Sequence, residues 1–162
     1  LEENLAVNTK ELNRLEAELE AFSDDPDQMI EQLRERFVAF LTEHWAGNFP
    51  TWLSPIQVQV ITISEKHKAY AAEVGDALKA AGVRVKVDDS DATIGKKIRM
   101  HRKMRPAYML ILGEEETANS TVSVRARNGD QSNGVPLDDF VAGIFAEITN
   151  RSPELSLVPP QS

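Results

Sequence analysis

The sequence predicts an α/β fold, a mixed five-stranded sheet flanked by three helices, with a helical hairpin at its N-terminal side. Three observations carry that expectation. From Pro55 onward, short β-branched runs alternate with stretches of helical periodicity, the pattern of parallel crossovers. Tyr108–Leu112 (YMLIL) is continuously apolar, as a strand buried on both faces is. Thr121–Arg127 (TVSVRAR) alternates and runs into Asn128-Gly129, a strong hairpin-turn signal.

Taken in order, Leu5, Leu12 and Leu19 repeat at heptad spacing, Leu1, Leu15 and Phe22 fall on the interleaved register, and a polar Asn8 fills its gap. This is an amphipathic helix with a coiled-coil-like seam. Three heptads are marginal for a helix alone in water, so it needs a partner. That partner is either the next helix, in an antiparallel hairpin, or a second copy of residues 1–22. Ser23-Asp24-Asp25-Pro26-Asp27 reads as a break and a new helix start, because Ser and Asp cap orphan N–H groups and Pro suits the first turn. Ile30, Leu33, Phe37, Phe40, Leu41 and His44 recur at helical spacing to about Trp45, and Ala46-Gly47-Asn48-Phe49-Pro50 stops the helix.

Ile56–Ile63 (IQVQVITI) is strand-like, and Glu65–Ala81 is helical, with Tyr70, Val74, Ala77 and Leu78 on one face. Val83–Val87 alternates as a strand, and Ile94–Met104 is a second helix. The strands Tyr108–Leu112, Thr121–Arg127 and about Asp130–Val135 follow, then a helix over Leu137–Ile148 faced by Phe140, Val141, Ile144 and Phe145. The order βαβαβββα implies parallel crossovers first and an antiparallel hairpin at one edge. The chain thus divides into an N-terminal helical segment (1–50), an α/β domain (51–151) and a Pro- and Ser-rich tail (152–162) expected to be loose.

The 162 residues are 41% hydrophobic and 27% charged, without cysteine, which excludes disulfides and cysteine-ligated metal sites. No apolar run approaches the roughly 20 residues of a membrane-spanning helix. The first residues show neither the basic start nor the apolar run of a signal peptide, so a soluble, cytoplasmic chain is expected. The formal net charge is −8, and residues 1–35, with eleven acids against three bases, hold all of it. The balanced remainder contains one basic stretch: Lys96, Lys97, Arg99, Arg102, Lys103 and Arg105 fall within ten residues.

Several chemistries are absent. The glycines are too scattered for a phosphate loop or a dinucleotide turn. His44, His67 and His101 lack a second histidine or an acid at helical spacing, and read as surface or satisfied residues. Ser54 and Ser64 lie in no nucleophile elbow, and the acidic runs Asp88-Asp89 and Glu114-Glu115-Glu116 suit solvated turns better than catalysis. The chain alone is not expected to be an enzyme. The stripe from Lys96 to Arg105 suits either a phosphate backbone or a solvated helix face. Arg125 and Arg127 share one face of an alternating strand, with a carboxylate at its entrance. A fixed Arg with a fixed Glu can read the edges of an unstacked RNA base, or can form a plain cross-strand ion pair.

The run ERFVAFLTEHWAGNFPTWLSPIQVQVITIS (35–64), followed by VRVKVDD, IGKKIR, RPAYMLILGEEE, TVSVRAR and NGVPLDDF, resembles the C-terminal anticodon-binding domain of class II threonyl-tRNA synthetases over 35–150. The resemblance implies the class II anticodon-binding fold and the docking of the anticodon loop of threonine tRNA, with its second and third letters read. It carries the family's base-reading carboxylate onto Glu116, its reading arginine onto Arg125, and its Lys-Ile-Arg contacts onto Lys97 and Arg99, beside Lys96 and Arg127. Ser90-Asp91 stands where many members have Arg-Asn, so reading is expected to lean on Glu116, Arg125 and Arg99. Glu35-Arg36 matches the end of a catalytic motif whose companions are missing. ATP and zinc are therefore expected only in the catalytic domain of a parent synthetase, with no cofactor in this chain. A free-standing paralogue associating through residues 1–22 is the alternative reading. If the acidic N-terminal segment keeps non-cognate RNA away, deleting residues 1–34 raises non-specific RNA binding in a filter assay; unchanged retention refutes this role.

Overall fold

The structure is a computed structural model that describes residues 25–159, together with Asn13 and Ala17, which are helical and exposed. The heptad seam of residues 1–22, and the hairpin or self-association built on it, lie outside the described residues. The chain divides into two units, 1–45 and 46–162. The boundary thus falls earlier than the expected residue 50, because segment 46–54 is bound to the α/β domain by side chains described below.

In the first unit, α1 spans Pro26–Trp45. Asp25 caps it: its carboxylate accepts from the Asp27 amide at 3.1 Å and its carbonyl from Met29 at 2.9 Å. The helix forms as the periodicity predicts, yet Ile30, Leu33, Phe37 and Phe40 are all more than half exposed.

The second unit runs β1 (Val58–Thr62), a 3-10 turn (Glu65–His67), α2 (Lys68–Ala80), β2 (Val85–Asp88), α3 (Ile94–Arg102), β3 (Tyr108–Leu112), α4 (Glu114–Asn119), β4 (Thr121–Ala126), β5 (Gln131–Pro136) and α5 (Leu137–Thr149). The sheet order is β2-β1-β3-β4-β5. β1 is parallel to both neighbours, and β3–β4 and β4–β5 are antiparallel, as the element order predicts. Alternation divides the sheet into two faces. Val58, Val60, Tyr108, Leu110, Leu112, Val122 and Val124 point to one, where α2 (Tyr70, Val74, Leu78) and α5 (Phe140, Ile144) close the core. Helix α2 approaches so closely that a Cβ on Gly75 would fall 2.8 Å from a Val87 methyl.

The opposite face carries two rows set by the register: Lys86, Gln59, Met109 and Arg125, then Asp88, Ile61, Ile111 and Ser123. Over β1 and β2 this face is covered by α3, whose Lys97 and His101 bond to Thr62 and Asp88. Over β3 and β4 it stays open. Helix α4 was not foreseen. Its six residues (EEETAN) carry no apolar period, and it is held by its cap and by three acids at its N-terminus, where the helix dipole favours them.

The described part of the tail expected to be loose, residues 152–159, is docked. Val158 is buried in the core, and Leu155 and Leu157 pack against it. The reason is Glu147 of α5, only 3% exposed. Its carboxylate accepts from the Tyr108 hydroxyl at 2.9 Å, from the Ser156 hydroxyl at 3.1 Å and from the Thr51 hydroxyl. Tyr108 in turn accepts from the Leu157 amide at 3.2 Å. Burial pushes the Tyr108 phenol far above its ordinary range, so it stays a donor to Glu147. Glu147→Ala strands three hydroxyls and opens a void, and should cost about 3 kcal/mol, read as a lower urea midpoint. Tyr108→Phe, which removes one donor, should cost about 1 kcal/mol.

Candidate nucleic-acid interface

The open half of the sheet is bordered by α3, and helical spacing sorts the cations of the basic stretch. Lys96, Arg99, Arg102 and Lys103 are exposed. Lys97 points the other way: it is 2% exposed, and its ammonium donates to the Thr62 carbonyl at 3.2 Å and hydroxyl at 3.3 Å. The expectation that Lys97 contacts RNA is therefore corrected. One turn on, the His101 ring lies 2.5 Å from the Asp88 carboxylate. Burial alone would raise the Asp88 carboxyl, but hydrogen bonds from Ser90 and His101 hold it below the usual range. Lys97 and His101 thus pin α3 to the sheet and leave its remaining cations outward. Asp91 forms an ion pair with Lys68 at 3.1 Å.

At the upper end of the open face, Glu116 is the third residue of α4 and closes on the cap. Its carboxylate accepts from the Gly113 amide at 2.9 Å and from the Ser123 hydroxyl at 2.6 Å. Burial by itself would raise this carboxyl. Bonds from Ser123 and from the Gly113 and Glu116 amides outweigh burial and keep it below the ordinary carboxylate range, so it is an anion at neutral pH. The turn beneath is locked as well. Thr117 donates its hydroxyl proton to the Gly113 carbonyl at 2.7 Å, so the His67 Nδ1 at 3.0 Å from that hydroxyl is the donor of their bond.

Arg125 lies on β4 opposite Met109, two residues along the same face from Ser123, and is half-buried. Among the described residues its guanidinium has no hydrogen bond or ion pair, so the cross-strand Glu–Arg pair does not form. Arg127 differs. Its guanidinium donates to the Phe49 carbonyl and, at 3.2 Å, to the Arg105 carbonyl. Burial first and the neighbouring Arg105 second lower its pKa. Arg127 is therefore a clamp on the chain leading into β1, half-buried and with donors committed to two carbonyls within the protein. Arg105 is a second clamp, donating to the Ala46 carbonyl at 2.6 Å. It crosses Gly47 so tightly that a Cβ there would lie 2.8 Å from its Nη1, and Gly47 has a φ of +73°.

Of the residues expected from sequence, Glu116 and Arg125 are partly exposed and Arg99 and Lys96 exposed, and Ser123, which holds Glu116, was not among them. The alternation of β4 contains the signal, since it sets Ser123 and Arg125 on one face. His67 and His101 are hydrogen-bonded, as expected of satisfied histidines. Among the described residues, no three His, Cys, Asp or Glu side chains group as a metal cluster.

A helix-backed mixed sheet with one half-open face, edged by a fixed carboxylate and by cations without a partner among the described residues, offers both acceptors and donors to a ligand. The chain belongs to the anticodon-binding domain family, whose model matches residues 57–147. Within that family its likeness is to threonyl-tRNA synthetases. It is 44% identical over 117 residues to a threonine–tRNA ligase of a Nocardioides species and 47% identical over 117 residues to that of Clostridioides difficile. Each match covers 72% of this chain and 18% of the relative, so the chain spans about a fifth of the length of those relatives. Among solved structures it resembles the RNA-binding domain of threonyl-tRNA synthetase from Cryptosporidium parvum, at a TM-score of 0.65 and 39% identity. That match covers 68% of this chain and 28% of the other.

Ser123→Ala removes one of the bonds that favour the charged form of Glu116, so its carboxyl should titrate at higher pH, measurable by carbon-13 NMR. A carboxyl held low in the fold stabilises it above the unfolded-state pKa, and that contribution is lost as pH falls through the folded-state value. The variant should therefore be less stable than the parent at neutral pH, by about 1 kcal/mol or less, and the difference should shrink in acid.

Proposed function

We propose that this chain is the anticodon-recognition module of a threonyl-tRNA synthetase, which docks the anticodon loop of threonine tRNA and reads its second and third letters. The observation that carries the reading is the pairing on one open sheet face of an immobilised Glu116 anion and an unpartnered Arg125 fork. Glu116 commits one lone pair on each oxygen to Gly113 and Ser123, and its other lone pairs remain to accept N–H groups of guanine. Arg125 offers a planar set of donors that suits guanine or uracil acceptors. Arg99 and Lys96, on the outer side of α3, supply backbone charge. In this reading the module is not catalytic by itself. A catalytic domain supplies ATP chemistry and the threonine-binding zinc, and the protein works in the cytoplasm with tRNA as its partner.

The test is fluorescence anisotropy with an anticodon stem-loop of threonine tRNA at low salt. Arg125→Ala should weaken binding by about 1–3 kcal/mol, roughly 5- to 150-fold. Changing the middle anticodon letter should weaken the parent protein similarly and the Arg125→Ala variant much less. Binding indifferent to both changes refutes base reading.

A further inference from the structure

At the lower end of the open face four arginines line one small cleft. Arg102, at the end of α3, lines a small cleft with Arg105, Arg125 and Arg127, over Pro106 and Met109 and beside Gly129. The cavity is about 20 Å³, room for one water-sized group. No carboxylate lines it. Arg105 and Arg127 donate to carbonyls, which satisfy N–H groups without cancelling charge. Arg102 and Arg125 have no partner among the described residues. Arginine does not shed its proton, so a carboxylate-free cleft between two cations without a partner among the described residues suits an anion.

We infer that the cleft is a phosphate site, in which a non-bridging oxygen of an RNA phosphodiester seats between Arg102 and the outer edge of Arg125, above Met109. This deepens the proposed function, on which it rests, by placing the backbone of the loop. Arg125 has five N–H donors, enough to hold a phosphate on one edge and a base on the other. Ser123, which holds Glu116, is two residues along β4, roughly 7 Å away. A nucleotide whose phosphate fills the cleft therefore extends toward the reading carboxylate. The cavity has no space for a base, which separates the two functions along the strand.

Arg102→Gln keeps length and hydrogen-bonding capacity and removes the charge. With inorganic phosphate as probe, the side-chain Nε–H signals of Arg102 and Arg125 should shift together in the parent protein, and the Arg125 shift should vanish in the variant. With the stem-loop, the variant should bind several-fold more weakly and its log–log salt dependence should be shallower by about 0.7. The preference for the correct middle letter should be unchanged. An unaltered salt dependence overturns the inference, and if phosphate still shifts both signals the cleft takes an adventitious ion only. A changed letter preference also overturns it, because Arg102 would then read a base. If the stem-loop binds without letter preference while the phosphate and salt results stand, base reading fails and the phosphate site survives.

Discussion

The α/β domain is organised around one buried carboxyl group. Among the described residues no cation lies beside Glu147, and hydroxyls from three separate parts of the chain surround it: Thr51 ahead of β1, Tyr108 at the start of β3 and Ser156 in the tail. A buried carboxylate left short of donors would be severely penalised, whereas one fully satisfied specifies a single arrangement. These bonds fix where the central strand begins, and Tyr108 is followed by Met109, the residue opposite Arg125. The position of the interface along the sheet is thereby set from inside the core.

The second constraint is unequal cover. Helices α2 and α5 close the core face, while α3 covers the other over β1 and β2 and α4 touches it only at its upper end, through Glu116 and Ser123. A helix so placed needs an anchored side and a wet side. Lys97 and His101, four residues apart, provide the anchors, and Lys96, Arg99 and Lys103 follow the opposite rows. The overall acidity of the chain is compatible with this cationic border, because the excess of acids lies in residues 1–35.

Most of the sheet was legible because the alternation in TVSVRAR, the unbroken apolar run YMLIL and the helical period of LDDFVAGIF are strong signals. Helix α4 was not, since its stability comes from a cap and from charge near its first turn rather than from an apolar stripe. The tail was misread because Pro and Ser suggest looseness, while Leu155, Leu157 and Val158 were needed by a core that sequence alone does not display. Glu116 and Arg125 were identified through family resemblance, and the strand alternation placed Arg125 correctly on its face. The inward turn of Lys97 and Arg127 was not legible. Neither the basic stretch around Lys97 nor the alternation of TVSVRAR marks which cations bond to carbonyls within the protein and which are left to solvent.

Arg105 and Arg127 belong at once to the segment at residues 46–49 and to the rim of the arginine cleft. The glycine at 47 allows that joint to be tight. The chain that leads into the domain is therefore fastened to side chains that also line the cleft. An anion that shifted either arginine on binding would thereby also shift the ordering of residues 46–49, and the coupling free energy would be the same read from either side.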